Sequence, residues 1–220
     1  MASIDQVQPQ RLYRYRPLEK VDRELEALEK NYLYCAAYTR LNDPMEGVFR
    51  SSKIFRESST YRAIRRAIVD NKTQIGMCSF SEGHDHELMW AHYADQYKGI
   101  CIAYSFAKLL DHLRDNISFV RMYYNETVPI VRHNRKDPGD VAKMVLSYKN
   151  YRWLYEREWR MFAPLGKAYY GDKSCVTHIY LGSRIDPAKR SKIIRAMKSL
   201  KIKTDDMKIE RYSITFESAS

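Results

Sequence analysis

A chain of 220 residues with 45% apolar content is long enough to bury a sizeable core, which excludes global disorder. Its formal charge of +11, from 38 basic and 27 acidic side chains, suits polyanionic partners such as nucleic acid, nucleotide phosphates or acidic protein faces. Apolar runs of only a few residues, broken by charges, exclude a membrane-spanning helix. MASIDQVQPQ has neither the basic n-region nor the apolar h-region of a secretory signal, so a cytoplasmic location is expected.

In chain order, RLYRYR (residues 11–16) alternates large groups and predicts a strand ended by Pro17. Leu18, Val21, Leu25 and Leu28 recur at helical spacing, and Asn31 stops that helix. YLYCAA predicts a strand, and TRLNDPMEG, with Asn42, Asp43, Pro44 and Gly47 close together, a turn or loop. One helix is expected over 52–70, then a strand at QIGMCSFS, a polar loop at EGHDHE, a brief helix at LMWAHYA and a buried strand at GICIAY. FAKLLDHL predicts a short helix and SFVRMYY a strand. The polar stretch from Asn125 to Gly139 reads as a linker, suited to a lid or a boundary.

Val141, Met144, Val145, Tyr148, Arg152 and Tyr155 share one face of an expected helix, after which EREWRMF switches to period two. THIYLG predicts a strand, PAKRSKIIRAMKSL a helix with proline at its start, and MKIERYSITF one closing strand. Seven or eight strands interspersed with four or five helices, without a fixed-period repeat, predict an α+β fold with a mixed or split β-sheet. A single domain over 1–220 is expected, with its motifs in 11–182 and a basic C-terminal helix and strand over 187–216. The charge is uneven: residues 1–110 hold 16 basic and 14 acidic groups, net +2, and residues 111–220 hold 22 and 13, net +9. The four cysteines, Cys35, Cys78, Cys101 and Cys175, are widely spaced and read as free thiols rather than a zinc knuckle or a disulfide framework.

No GxGxxG, GxxxxGK[ST] or HExxH is present, which argues against a Rossmann dinucleotide site and a P-loop. Four segments hold candidate chemistry. In Tyr13-Arg14-Tyr15-Arg16, the arginines share one strand face and the tyrosines the other; an arginine grips a phosphate bidentately and a ring stacks on a base. The alternative is a strand with a basic exposed face. In Cys78-Ser79-Phe80-Ser81, the two serines share a side opposite Phe80, where a hydroxyl can bond a ribose or phosphate, or merely serve turn chemistry.

In Glu156-Arg157-Glu158-Trp159-Arg160, period two puts Glu156 and Glu158 together. Paired carboxylates stabilise a developing cation, act as acid and base or bind a metal, unless they and Arg160 form a surface ion network. In LMWAHYADQYKG, Trp90 and His92 are either ligand contacts, with His92 as base, or a core anchor and a buried imidazole. His84, Asp85, His86 and Glu87 lack clean metal-ligand spacing, so no metal site is expected.

Taken together, LYRYRP, YLYCAAYTRLNDPMEG, MCSFSE, LMWAHYADQYKGICIAY, YEREWR and IYLG closely resemble the bacterial domain-of-unknown-function family numbered 2971. More distantly, an arginine in the first strand, Ser-x-Ser in a middle strand and Glu-x-Glu in a late strand resemble the ordered triad of ADP-ribosyltransferases. That resemblance implies an ADP-ribosyltransferase-like fold and NAD as the substrate dinucleotide. Arg14 or Arg16 would hold its phosphate, Ser79 or Ser81 the nicotinamide ribose, and Glu158 the ribose hydroxyl and the oxocarbenium-like transition state. Glu156 would act on the acceptor, a nucleic acid among the candidates, and Tyr34 or Tyr38 would stack on nicotinamide. This sequence departs from the usual Ser-Thr-Ser in having Ser79-Phe80-Ser81. Two other classes fit the residues: a basic nucleic-acid-binding domain, extending to a metal-dependent nuclease through Asp43, Glu46 and the Glu156/Glu158 pair, and a non-catalytic ligand-sensing or accessory domain of a bacterial defence or toxin system.

Overall fold

The computed structural model describes residues 8–113, 116–132 and 137–219. In chain order, β1 (Arg11–Arg16), α1 (Val21–Glu29) and β2 (Tyr32–Ala37) lead through the NDPMEG loop to β3 (Arg50–Ser51), α2 (Lys53–Glu57), α3 (Tyr61–Gln74) and β4 (Ile75–Ser81). Next come α4 (Glu87–Tyr93), β5 (Ile100–Ser105), α5 (Phe106–His112), β6 (Ser118–Arg121), β7 (Tyr123–Asn125), β8 (Ile130–Val131) and α6 (Pro138–Val145). Then follow β9 (Tyr148–Asn150), a 3-10 segment (Tyr151–Glu156), β10 (Glu158–Pro164), β11 (Gly166–Tyr169), β12 (Val176–Leu181), α7 (Pro187–Leu200), β13 (Lys203–Glu210) and β14 (Ser213–Ser218). The architecture is mixed α+β with interspersed helices, and its sheets are open rather than closed into a barrel. Among the described residues no helix is long and apolar enough to cross a membrane.

The chain divides into two compact units, each assembled from separate stretches. Unit 1 contains residues up to 32, 80–113 and from 169 onward. Its sheet runs from the last residues of β4 through β1, β5, β12 and β13 to β14; β12–β13 is parallel and the other pairings are antiparallel. β5 is apolar almost throughout because partners flank it on both edges and its side chains are buried on both faces. α7 begins where Asp186 accepts the Lys189 amide at 2.9 Å with Pro187 in the first turn, and it ends at left-handed Lys201. Ile193 and Met197 are its buried anchors.

Unit 2 contains residues 33–79 and 114–168. Here β4 pairs with β2 and with β10, and β10 pairs antiparallel with β6. Two short parallel ladders, β3–β8 and β7–β9, accompany them. Phe55, Ile68, Val131, Val141, Ala142 and Val145 form one apolar cluster, and Met77, Leu146 and Phe162 another. All four cysteines are buried free thiols.

Several boundaries differ from the sequence expectation. The helix expected over 52–70 is two, because Ser58 is extended and its hydroxyl donates to the Phe55 carbonyl at 2.8 Å, closing α2. SFVRMYY is broken at Met122 into β6 and β7, which pair with different partners. The expected linker from Asn125 to Gly139 contains β8, with Val131 buried; its residues 133–136 lie outside the described part. The helix drawn through Tyr148, Arg152 and Tyr155 stops at Leu146, and the chain re-extends as β9. MKIERYSITF is a hairpin, turning at Arg211, whose φ is 56°.

Candidate functional site

Five ionisable side chains of unit 2 meet in its interior: Glu46, Lys149, Glu156, Glu158 and Arg160, none more than 6% exposed. Four local devices bring them there. The NDPMEG loop curls because Asp43 Oδ1 accepts the Met45 amide at 2.9 Å and the Asp43 carbonyl accepts the Glu46 amide at 3.2 Å. β9 supplies Lys149 as its only buried residue. The 3-10 turn that follows is capped by Asn150, which accepts the Arg152 amide at 3.0 Å, and it carries Glu156 inward. Arg157 then takes the left-handed conformation (φ 44°, ψ 48°), a costly one for a residue with a Cβ, and β10 begins with Glu158 and Arg160 on one side of the strand.

The contacts are dense. Lys149 Nζ donates to Glu156 Oε2, lies 3.2 Å from Glu158 Oε2 and 3.4 Å from Glu46 Oε1, and sits 5.0 Å from the centre of the Trp153 ring. Arg160 donates through Nε and Nη2 to Glu158 Oε1 at 2.9 and 2.7 Å, and through Nη1 to the Leu146 carbonyl at 2.7 Å. The same Nη1 ion-pairs with Glu46 Oε2 at 2.6 Å. Glu46 is held by these two cations, Lys149 and Arg160. The Ser79 hydroxyl bonds the Glu158 carboxylate, and the Glu158 amide donates to the Tyr124 hydroxyl at 2.8 Å. Three carboxylates against two cations leave a formal charge of −1.

Burial pushes the Glu158 carboxyl upward, but Arg160, Lys149 and the Ser79 hydrogen bond outweigh it and hold the group at about 2. Glu158 is therefore an anion throughout the neutral range. Burial disfavours the charged Arg160 guanidinium, and Glu158 and Glu46 more than reverse this, raising its pKa. The depressed folded value of Glu158 contributes stability that is fully present above its ordinary value of 4.5 and is lost as pH falls through about 2. At about 1.4 kcal/mol per unit, the loss is about 3 kcal/mol. Urea midpoints measured from neutral pH down through this window should fall, and Glu158→Gln should flatten that acid limb; an equally steep limb in the variant would assign it to other carboxylates.

The loop that presents Glu46 depends on Gly47, whose φ is 74° and whose carbonyl accepts from buried Lys72 Nζ at 2.5 Å. A Cβ there would meet Lys72 Cε at 3.1 Å and Leu146 Cδ2 at 3.2 Å. Gly47→Ala should cost about 1–2 kcal/mol through left-handed strain and crowding, read as a lower thermal midpoint. A change within about 0.5 kcal/mol would show that the loop adapts freely.

The residues singled out from sequence are distributed between the units. Ser79, Tyr34, Tyr38, Glu156 and Glu158 are in unit 2, and Arg14, Arg16, Tyr13, Ser81, Trp90 and His92 in unit 1. Glu156 and Glu158 do come together, though not by strand alternation: Glu156 ends a 3-10 turn, and left-handed Arg157 restores its alignment. They form a buried network rather than a surface one. Tyr38 is half-buried with Lys72 Nζ 4.6 Å from its ring centre, and Tyr34 is exposed.

In unit 1, Ser81 stands directly across from Tyr13, so serine and tyrosine share a face, while Arg14 lies over the Phe80 ring at 5.8 Å on the other. Neither Arg14 nor Arg16 projects on the side of Ser81, and Arg16 is bound by Glu24 through two contacts of 2.8 and 2.6 Å. Tyr13 stacks on His84. Trp90 is fully buried, donating to the His84 carbonyl at 2.7 Å, which makes it a core anchor. His92 is exposed rather than a buried imidazole. No group of three or more metal-ligating side chains is found among the described residues.

Lys149 escaped sequence reading. Its one signal is a charge which, like Arg152, interrupts the aromatic run Tyr148–Tyr155, and the apparent helical spacing concealed it. No curated protein and no solved structure gives a significant match. Residues 89–161 match the model of a family described as a protein of unknown function, DUF2971, a stretch shorter than the 11–182 spanned by the motifs, and one that holds Lys149, Glu156, Glu158 and Arg160 of the buried cluster but neither Glu46 nor Ser79.

Proposed function

We propose that unit 2 carries the reactive carboxylates of an enzyme that cleaves NAD at its nicotinamide–ribose bond and transfers the ADP-ribosyl group. The observation that carries this reading is the gathering of two buried carboxylates, Glu156 and Glu158, on Lys149, with Arg160 and Ser79 keeping Glu158 anionic. When the bond between the anomeric carbon and the nicotinamide nitrogen breaks, the pair leaves with neutral nicotinamide and positive charge grows on the ribose. A carboxylate already anionic and already oriented stabilises that charge without reorganising. Lys149 holds Glu158 Oε2 at 3.2 Å, the longest of the Glu158 ion contacts, so this is the oxygen a ribose hydroxyl takes. Glu156 accepts the proton of the attacking acceptor or water as its oxygen joins the anomeric carbon.

A five-membered buried ion network is hard to explain by stability alone, because apolar replacements of such networks are often neutral or stabilising. The strained Arg157 between the two carboxylates points the same way. Both carboxylates are covered, so the reading requires the 3-10 turn bearing Trp153 to open when NAD binds. The test is incubation of the purified protein with NAD and with protein or nucleic-acid acceptors, following nicotinamide release. Release is the expected result; no release with any acceptor, together with no calorimetric NAD binding, would sink the reading.

A further inference from the structure

A second surface of unit 2 has a different character. Residues 50–66 hold six cations, Arg50, Lys53, Arg56, Arg62, Arg65 and Arg66, and one carboxylate, Glu57. All five arginines are exposed. On α3, Arg62, Arg65 and Arg66 follow the i, i+3, i+4 spacing that puts side chains on one helix face, while Ile68 is buried. Two adjoining hollows open here and share Tyr61 and Arg65. One, of about 390 Å³, is completed by Arg62, Arg66 and Val69; the other, of about 470 Å³, by Phe49, Arg50, Ser51 and Arg56. The Tyr61 ring is anchored edge-on against Phe55 at 5.1 Å, and the Arg65 guanidinium lies 5.9 Å from the Phe49 ring centre. Asp70 approaches Arg66 at 3.8 Å.

Guanidiniums crowded around a fixed aromatic ring repel one another unless anions lie between them, and their planar forks match phosphate oxygens. We propose that this face binds single-stranded nucleic acid, with the arginines on successive phosphates and a base stacked on Tyr61. A single strand is favoured over a duplex because only unpaired bases offer the ring a free face. The inference does not rest on NAD chemistry at Glu158; loss of NAD turnover would leave it standing.

The test is fluorescence anisotropy with a labelled single strand of about 20 nucleotides, the matching duplex and phosphatidylserine vesicles. R62Q/R65Q/R66Q should bind the single strand at least about tenfold more weakly. Its log–log salt slope should be shallower by about 2, near 0.7 for each phosphate that an arginine no longer neutralises. Tyr61→Ala should weaken binding about tenfold and Tyr61→Phe should restore it, separating stacking from the tyrosine hydroxyl. K192Q/R195Q/K198Q, on α7, should bind as wild type does, and all variants should keep the wild-type circular dichroism. The proposal is overturned if the α3 triple variant binds like wild type, if the α7 variant loses binding instead, or if the duplex is preferred. It is equally overturned if the vesicles bind and the single strand does not, which would assign the face to lipid through Ile54, 76% exposed on α2.

Discussion

Arg160→Met should lower the unfolding free energy by about 3–5 kcal/mol, the cost of leaving buried charge without its partner. Arg160 is wholly buried and serves Glu158, Glu46 and the Leu146 carbonyl together. Methionine fills much of the volume, so the loss reads out electrostatics rather than a cavity. It strands two carboxylates that share only Lys149 and leaves a carbonyl short of a donor. For a chain of this size the thermal midpoint should fall by about 10 °C or more. Arg160→Lys should lose an intermediate amount, since one ammonium cannot span three acceptors that a planar fork reaches at once. Adding Glu46→Gln to Arg160→Met should recover part of the loss, because one of the two stranded charges is then gone and the double substitution costs less than the sum of the singles. A urea-derived change below about 1 kcal/mol for Arg160→Met would mean that water reaches the cluster and screens it.

The cluster also marks where sequence reasoning stopped. β1, β2, β4, β5, β12 and α7 lie where their patterns put them, because each is governed by local rules: a proline that ends or begins it, alternation, or a short apolar run too continuous for a surface strand. The stretch 141–156 failed for an instructive reason. Tyr148, Arg152 and Tyr155 match helical spacing by coincidence, and the chain leaves the helix at Leu146 so that Lys149 can reach three carboxylates. No local preference encodes that exchange; it is decided by pairing between residues as distant as Glu46 and Arg160. Period-based reading sends charges to the surface by default, so a surface network stands beside paired reactive carboxylates as a reading of Glu156, Glu158 and Arg160, and neither says that the group is buried. The turn at Arg211 was invisible for another cause, since neither glycine, proline nor asparagine marks it.

Glu158→Gln should reduce nicotinamide release by about two to four orders of magnitude while NAD binding changes by no more than about tenfold. This is the signature of a group whose interaction grows toward the transition state. Glutamine keeps the shape and can still meet the Ser79 hydroxyl, but it offers no full negative charge to the developing oxocarbenium ion. Because the substitution also removes a partner of Arg160 and Lys149, release has to be measured well below the thermal midpoint of the variant. Two further variants separate chemistry from folding. Glu156→Gln should slow transfer to an acceptor more than it slows nicotinamide release, since its assigned role is taking the acceptor proton. Ser79→Ala should lower kcat by about tenfold with little effect on KM, since that hydroxyl orients the Glu158 carboxylate. If Glu158→Gln releases nicotinamide at the wild-type rate, Glu158 belongs to the scaffold alone and the cluster is a structural device.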